Sequence, residues 1–76
     1  MNKRRRTELK SIIEILEEAN SRLETAKDEE QEAFDNQPEG IQYSERGEQM
    51  EEYIDQMDEA YDSIQTAIDT LSEIAD

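Results

Sequence analysis

The sequence contains no cysteine and no histidine. Without cysteine there is no disulfide framework, no thiolate zinc site and no cysteine nucleophile. Without histidine the chain lacks the side chain that most often serves as a general base near neutral pH and most often binds transition metals. The sequence therefore predicts no cofactor and no metal site, and it argues against an enzyme.

Long apolar runs are also missing, and hydrophobic residues make up only 33% of the chain. The densest apolar cluster consists of Ile12, Ile13, Ile15 and Leu16, and Glu14 interrupts it. This cluster is too short for the hydrophobic region of a signal peptide, and a membrane-spanning helix needs about 20 apolar residues. We therefore expect an intracellular protein without a membrane partner.

Positive charge is scarce and unevenly placed. Eight basic residues stand against 22 acidic ones, which gives a net charge of −14 at pH 7. Residues 1–10 hold five of the basic residues and carry +4, so the rest of the chain carries −18. Because a body of this charge repels nucleic acid and anionic membranes, we expect no direct nucleic-acid partner. The basic tip, residues 1–8, is expected to be a solvated terminus, and a weak contact with phosphate is the alternative.

The apolar residues follow the spacing of amphipathic helices, which argues against the disorder that such a composition otherwise favours. In the second half they alternate at steps of three and four, the heptad pattern of a helix that packs along one line of side chains, its seam. The predicted seam consists of Met50, Tyr53, Met57, Ala60, Ile64, Ala67, Leu71 and Ile74. A flanking column, Ile54, Tyr61, Ile68 and Ala75, widens the apolar stripe. The first half follows the pattern less regularly at Leu9, Ile12, Leu16, Ala19, Leu23 and Ala26, because Glu30 then falls on its seam.

These patterns predict a single domain that covers the whole chain. Its parts are the basic tip at 1–8, a first helix at 7–36, a turn at 37–44 and a second helix at 45–75. Thr7 is the expected N-cap of the first helix, although the basic run could extend that helix by one turn, and Ser44 is the expected N-cap of the second. Pro38 disfavours helix at the residue before it and Gly40 permits a positive φ, so both favour a turn.

Two helices of similar length joined by a short turn predict an all-α fold, an antiparallel two-helix hairpin. A chain of this size builds only a small core, and a hairpin leaves part of the apolar stripe in contact with water. We therefore expect a homodimer, in which two hairpins form a four-helix bundle. The residues predicted for the core or the dimer interface are Met50, Tyr53, Met57, Ile64 and Leu71. The alternative is that the exposed part of the stripe binds a different protein.

Nearly all acidic side chains fall outside the predicted seams, whereas acid–base catalysis needs carboxyl groups whose environments separate their pKa values. Glu30 is the exception. It is either a buried carboxyl with a raised pKa or, in the interpretation we favour, a residue near the end of the hairpin that reaches water or pairs with Lys27. We therefore expect a non-catalytic protein.

The acidic side chains form rows along both predicted helices. The rows are Glu51, Asp55, Asp58, Asp62 and Asp69 on the second helix and Glu14, Glu17, Glu18 and Glu24 on the first. One interpretation is a solvated surface that keeps a small bundle soluble. Another is a face that binds a basic partner. Because acids on adjacent helical turns lie about 5–6 Å apart, such a face could also imitate a line of phosphates and occupy a DNA-binding cleft.

Two segments around the predicted turn resemble short acidic proteins that bacteriophages and prophages of Gram-positive bacteria encode. The segments are EEQEAFDNQPE at 29–39 and SERGEQME at 44–51, followed by Ile54 and Asp55. That group is uncharacterised, so the resemblance carries over no functional residues. It implies a phage accessory protein in the cytoplasm of the bacterial host, of the kind that binds and disables a host enzyme such as a defence nuclease or a DNA-handling machine.

The start of the second helix is a further candidate contact point. Arg46 lies between Glu45 and Glu48, beside Gly47, which would let the backbone of another protein approach. The alternative is a capping turn with an internal Arg–Glu pair.

Taken together, the sequence predicts a non-catalytic acidic module that binds and blocks a host protein. One alternative is a strict DNA mimic in a DNA-binding cleft. The other is a purely structural helical bundle or coiled coil.

Overall fold

The computed structural model describes all 76 residues and contains only helices. They are α1 at Lys3–Asp35, α2 at Glu39–Gln42 and α3 at Glu45–Ala75. Along their contact α1 and α3 run in opposite directions, since Asn20 meets Tyr61 and Lys27 meets Asp58. The result is a long, extended helix pair with Cα extents of 58 × 14 × 12 Å. The all-α prediction is confirmed.

Helix α1 begins earlier than the sequence predicts. Asn2 is its N-cap, and the Asn2 side chain accepts a hydrogen bond from the Arg5 amide at 2.9 Å. Thr7 lies inside the helix, where its hydroxyl donates to the Lys3 carbonyl at 3.0 Å, so the prediction of Thr7 as N-cap is wrong. Asn is at least as good an N-cap as Thr, and Lys and Arg favour helix. The basic tip is therefore helical, although its charges oppose the positive end of the helix dipole.

The segment between the long helices, residues 36–44, is called the connector below. It contains the single turn α2, and Gly40 within that turn does not adopt the positive φ that glycine permits. The Gln42 side chain caps the end of α1 by donating to the carbonyls of Phe34, Asp35 and Gln37 at 3.1, 3.3 and 3.1 Å. Phe34 and Asp35 lie in the last turn of α1, whose carbonyls lack partners within the helix. The Phe34 carbonyl also accepts from the Gln37 amide at 3.1 Å.

Helix α3 has the bounds that the heptad pattern predicts, and Ser44 is its N-cap, accepting a hydrogen bond from the Gly47 amide at 3.4 Å. Gly47 is buried against the connector. A Cβ atom at this position would overlap with the carbonyl groups of Gln42 and Ile41. Glycine at 47 therefore lets the connector backbone pack directly on the first turn of α3.

The seam between the long helices differs from the predicted one by one column on each helix. On α3 the packed column is Ile54, Tyr61, Ile68 and Ala75, whereas Tyr53, Ala60, Ala67 and Ile74 are exposed. On α1 the packed column is Ile13, Asn20, Lys27 and Phe34, whereas Ile12, Ala19, Ala26 and Ala33 are exposed. The predicted choice of columns is wrong because the large side chains at positions 54, 61 and 68 bury more apolar surface than alanine does.

The core of the helix pair is thin. Four of the 76 residues are buried, namely Asn20, Gly47, Ile68 and Ala75. Of these, Ile68 and Ala75 have apolar side chains. The other packed side chains are only half-buried. A chain with so little enclosed apolar surface gains limited stability from its own packing.

Candidate partner-binding surfaces

One broad side of the helix pair carries acids from both long helices and is called the acidic face below. Its members are Glu14, Glu17, Glu24 and Asp28 of α1 and Glu51, Asp55, Asp58, Asp62 and Asp69 of α3, and all of them are exposed. Shallow grooves between the helices connect the two sets. A groove of about 290 Å³ has Lys27 and Asp28 on one wall and Asp55 and Asp58 on the other. The structure therefore places the two predicted rows side by side, except for Glu18, which lies one column further round α1.

The acidic face contains one internal ion pair. Lys27 Nζ lies 2.9 Å from Asp58 Oδ1, and it also lies 5.7 Å from the centroid of the Tyr61 ring. The hydrogen bond to Asp58 raises the pKa of Lys27, and the negative charges of Asp58, Asp28 and Glu24 raise it further. Lys27 pairs with Asp58 and not with Glu30, because its position in the seam directs it across to α3. Asp58 is thus partly neutralised within the chain, while the other acids of the face have no cation within ion-pair distance.

Glu24 and Tyr61 adjoin this ion pair. Hydrogen bonding to the Glu24 carboxylate raises the pKa of the Tyr61 phenol above its ordinary value, and the Glu24 charge adds to the effect. Lys27 acts in the opposite direction, since a nearby cation favours the phenolate. The phenol therefore stays neutral at physiological pH, with its hydroxyl directed to Glu24.

Asn20 is the buried polar side chain of the seam, with 3% of its surface exposed. Its Nδ2 donates to the Tyr61 carbonyl at 3.3 Å, and its Oδ1 has no partner. A polar residue in a helix seam stabilises less than an apolar one but favours one register. Neither the buried Asn20 nor the Lys27–Asp58 pair was predicted, because the predicted seam passed through Ala19 and Ala26.

The residues proposed at the start of α3 lie in its first turn. Glu45, Arg46 and Glu48 are exposed, and Arg46 forms no ion pair, so the internal Arg–Glu pair is absent. Glu45 and Glu48 suit the positive end of the helix dipole. The backbone that approaches Gly47 is the connector of the same chain, which corrects the expectation that another protein would approach there.

Of the residues predicted for the core or dimer interface, Met50, Met57, Ile64 and Leu71 are half-buried between the helices. Tyr53 is 51% exposed and lies on the opposite side from the acidic face. It borders a cavity of about 520 Å³ together with Glu30, Gln56, Met57 and Ala60. Glu30 is half-buried at the rim of this cavity.

Tyr53 belongs to an exposed apolar surface that is called the apolar face below. It consists of Ile12, Ala19, Ala26 and Ala33 of α1 and Tyr53, Ala60, Ala67 and Ile74 of α3. The two columns lie on the same side because each follows its helix at heptad spacing next to the seam, and in an antiparallel pair these positions adjoin. The sequence pattern contained both columns but assigned them to the seam.

Nowhere do three acidic side chains converge as ligands for a metal ion. No helix combines the length and the apolar composition that crossing a bilayer requires.

Comparisons of the chain with models of protein families, with curated proteins and with solved structures found no match.

Proposed function

We propose that this protein is a non-catalytic binding module of phage or prophage origin that blocks a host protein through the acidic face. The observation that carries the proposal is the position of the acids. Rows of acids from both helices lie on one side of the pair. Asp58 is the one acid of these rows that forms an ion pair, with Lys27. Other exposed acids, such as Glu52, Glu59 and Glu73, lie on the outer side of α3, but the acidic face is where rows from the two helices meet across a groove.

The proposed partner carries a basic groove or patch. An elongated face of uncompensated carboxylates raises the association rate with a basic surface and selects against acidic ones. Nucleases and other DNA-handling enzymes carry such basic surfaces because they neutralise phosphates. This chemistry is in line with the class of host target that the phage resemblance implies.

The non-catalytic part of the proposal is supported by the openness of the surface. The acids of the face are exposed, and the grooves between the helices are shallow. A pair of carboxyl groups acts as acid and base when burial separates their pKa values. The helix pair offers no such enclosed site.

The proposal includes the assembly. We expect the helix pair to act as a hairpin that joins a second copy in a four-helix bundle, and the thin core supports this. A dimer that uses the apolar face leaves the acidic face free for the host protein.

The test is capture of host proteins from a lysate of Gram-positive bacteria by the tagged protein, at about 0.05 M and about 0.5 M salt, where charge screening differs strongly. The face variant is Asp55→Lys/Asp62→Lys/Asp69→Lys. The matched control, Glu52→Lys/Glu59→Lys/Glu73→Lys, makes the same change in net charge with exposed residues outside the acidic face. We expect a specific protein to be retained at low salt by the wild type and the control and to be lost with the face variant and at high salt.

Three further outcomes decide between the proposal and its alternatives. Displacement of the captured protein by duplex DNA would favour the strict DNA mimic, because both ligands would then compete for one cleft. Capture that is equal for the face variant and the wild type at both salt concentrations would contradict the proposal. Higher-order assembly in ultracentrifugation without any captured protein would favour the purely structural role.

A further inference from the structure

The apolar face is unoccupied in the helix pair, although its four layers run for about 32 Å along the molecule. We propose that it is the interface of an antiparallel homodimer, in which the basic tip of each copy lies on the acidic connector end of the other. This inference rests on the dimer of the proposed function and deepens it, since it assigns an orientation to the two copies and a role to the basic tip.

The apolar face is built of four layers, each with one residue from α1 and one from α3. Because Asn20 lies opposite Tyr61 and Lys27 opposite Asp58, the layers are Ile12 with Ile74, Ala19 with Ala67, Ala26 with Ala60, and Ala33 with Tyr53. Successive layers are about 10.5 Å apart, two helical turns. The two central layers consist of alanine alone, which permits close approach of a second helix pair.

The placement of polar side chains indicates that a partner covers the apolar face. Helix α1 directs Asn20 and Lys27 toward α3 and leaves Ala19 and Ala26 outside. Large apolar side chains of α3 at the two ends of the apolar face are exposed too, with Tyr53 at 51% and Ile74 at 44%. At positions 19/20 and 26/27 of α1 the monomer therefore exposes apolar side chains and packs polar ones, and a second copy on the apolar face would cover the exposed alanines.

The size of the face suits a stable dimer. The side of the molecule that holds this face measures 58 × 14 Å between Cα atoms, and the four apolar layers occupy about 32 Å of that length. A second copy that covered the whole side, charged ends included, would bury about 800 Å² of each partner, the area of a standard-size interface. Ile15, which is 64% exposed, lies beside the Ile12 end of the face. The cavity of about 520 Å³ at Tyr53, Met57 and Ala60 lies near the other end. In an antiparallel overlay of two copies, the end of one copy that carries Ile12 and Ile15 lies against the cavity of the other.

Charge selects the occupant and its orientation. The first residues of α1 extend past the end of α3, and Arg4, Arg5 and Arg6 form no ion pair within the chain. At the opposite end of the molecule, around the connector, the acids are Glu32, Asp35, Glu39, Glu45 and Glu48. An antiparallel overlay places each basic tip on these acids, whereas a parallel overlay would bring tip against tip and connector against connector. A second copy therefore offers apolar layers to cover the apolar face, an acidic connector end for the basic tip, and a basic tip for the acidic connector end.

The net charge of −14 per chain opposes association, and the proposed orientation reduces this cost. The apolar and acidic faces lie on opposite sides of the helix pair, so the two acidic faces point away from each other. The dimer therefore presents two acidic faces, one on each side.

Disulfide trapping tests the orientation, and the absence of native cysteine makes the result clear. In the antiparallel overlay α1 lies against α1 of the second copy, and position 19 faces position 26. The test variant is Ala19→Cys/Ala26→Cys. Within one chain these positions are about 10.5 Å apart, beyond the about 7 Å that a disulfide permits between Cα atoms. Oxidation should give a covalent dimer of twice the 8.9 kDa chain mass.

Two controls accompany this variant. Ala19→Cys alone should stay monomeric on a non-reducing gel, because position 19 does not face itself. Ser21→Cys/Asp28→Cys has the same spacing on the acidic face and should also stay monomeric. A parallel dimer would place α1 against α3, so that the test variant would not cross-link. Failure of the test variant to cross-link more than the controls would overturn the proposal.

A charge exchange tests the role of the basic tip without disturbing the apolar layers. Arg4→Glu/Arg5→Glu/Arg6→Glu and Glu39→Lys/Glu45→Lys/Glu48→Lys should each raise the dimer dissociation constant about tenfold or more in ultracentrifugation, as several surface ion pairs together imply. A mixture of the two variants should form a heterodimer as tight as the wild type. Unchanged dissociation constants, or a mixture no tighter than its components, would contradict the proposed contact.

Discussion

Replacement of Gly47 by alanine tests the packing of the connector on α3. A Cβ atom at 47 would overlap with the backbone carbonyl of Gln42, so the connector must move away. This movement breaks the bonds through which the Gln42 side chain caps α1. The Gln42 side-chain amide has two N–H donors shared among these three carbonyls, so the loss is about two hydrogen bonds, or about 1–3 kcal/mol. The better helix propensity of alanine returns less than about 1 kcal/mol. We therefore expect a net loss of about 1–2 kcal/mol in the free energy of unfolding.

The assay is thermal unfolding followed by circular dichroism at one fixed protein concentration, since dimerisation would make the Tm depend on concentration. For a chain of this size a loss of about 1–2 kcal/mol lowers the Tm by about 5–15 °C. Gly40→Ala is the matched control. A Cβ at 40 meets nothing within 4 Å and the φ is not positive, so alanine there should stabilise by about 0.5–1 kcal/mol. A Gly47→Ala variant as stable as the wild type would refute the packing argument.

Three further predictions concern the contacts between the helices. The raised pKa values of Lys27 and Tyr61 mean that the folded state holds both protons more tightly than the unfolded state. This stabilisation is complete below about pH 10 and is lost as the pH rises through the folded-state values. The Tm should therefore fall above about pH 10, and Tyr61→Phe should reduce the fall; an equal fall in both proteins would contradict the assignment. Asn20→Leu removes the unpartnered Oδ1 and should raise the free energy of unfolding by about 1–2 kcal/mol in a urea titration; a loss would show that Oδ1 is paired. Gln42→Ala should leave the last turn of α1 less protected in hydrogen exchange while the middle of α1 is unchanged; unchanged protection at Phe34 and Asp35 would count against the cap.

The sequence predicted the second helix well because its signals are local. Ser44 is a strong N-cap, and an unbroken heptad pattern follows it to the end of α3. The start of α1 was missed because two caps compete there. Asn2 precedes a basic run that the dipole disfavours but the helix propensity favours, and the balance between the two terms is small.

The choice of seam could not be predicted from periodicity. Both columns of α3 are apolar at heptad spacing, so the pattern fits either one. The choice depends on side-chain volume, since Tyr61 and Ile68 are larger than Ala60 and Ala67. It also depends on polar contacts between α1 and α3. Asn20 and Lys27 find partners only when α3 is beside them.

The acidic rows were visible in the sequence, but their common side was not. Asp55 and Glu24 are far apart along the chain, and only the register of α1 on α3 places their rows on one side. Gly47 shows the same limit, because the backbone that it accommodates comes from the connector and is not identified by the residues next to it.

The most direct measurement is the affinity of the captured host protein, once purified, for three forms of this chain at low salt. The acidic-face account predicts that Asp55→Lys/Asp62→Lys/Asp69→Lys weakens binding by tenfold or more, about 1.4 kcal/mol. It predicts that Glu52→Lys/Glu59→Lys/Glu73→Lys, with the same net charge, weakens binding by less than about threefold, under half of that free energy. Equal losses of affinity in the two variants would show that total charge, and not the acidic face, determines binding.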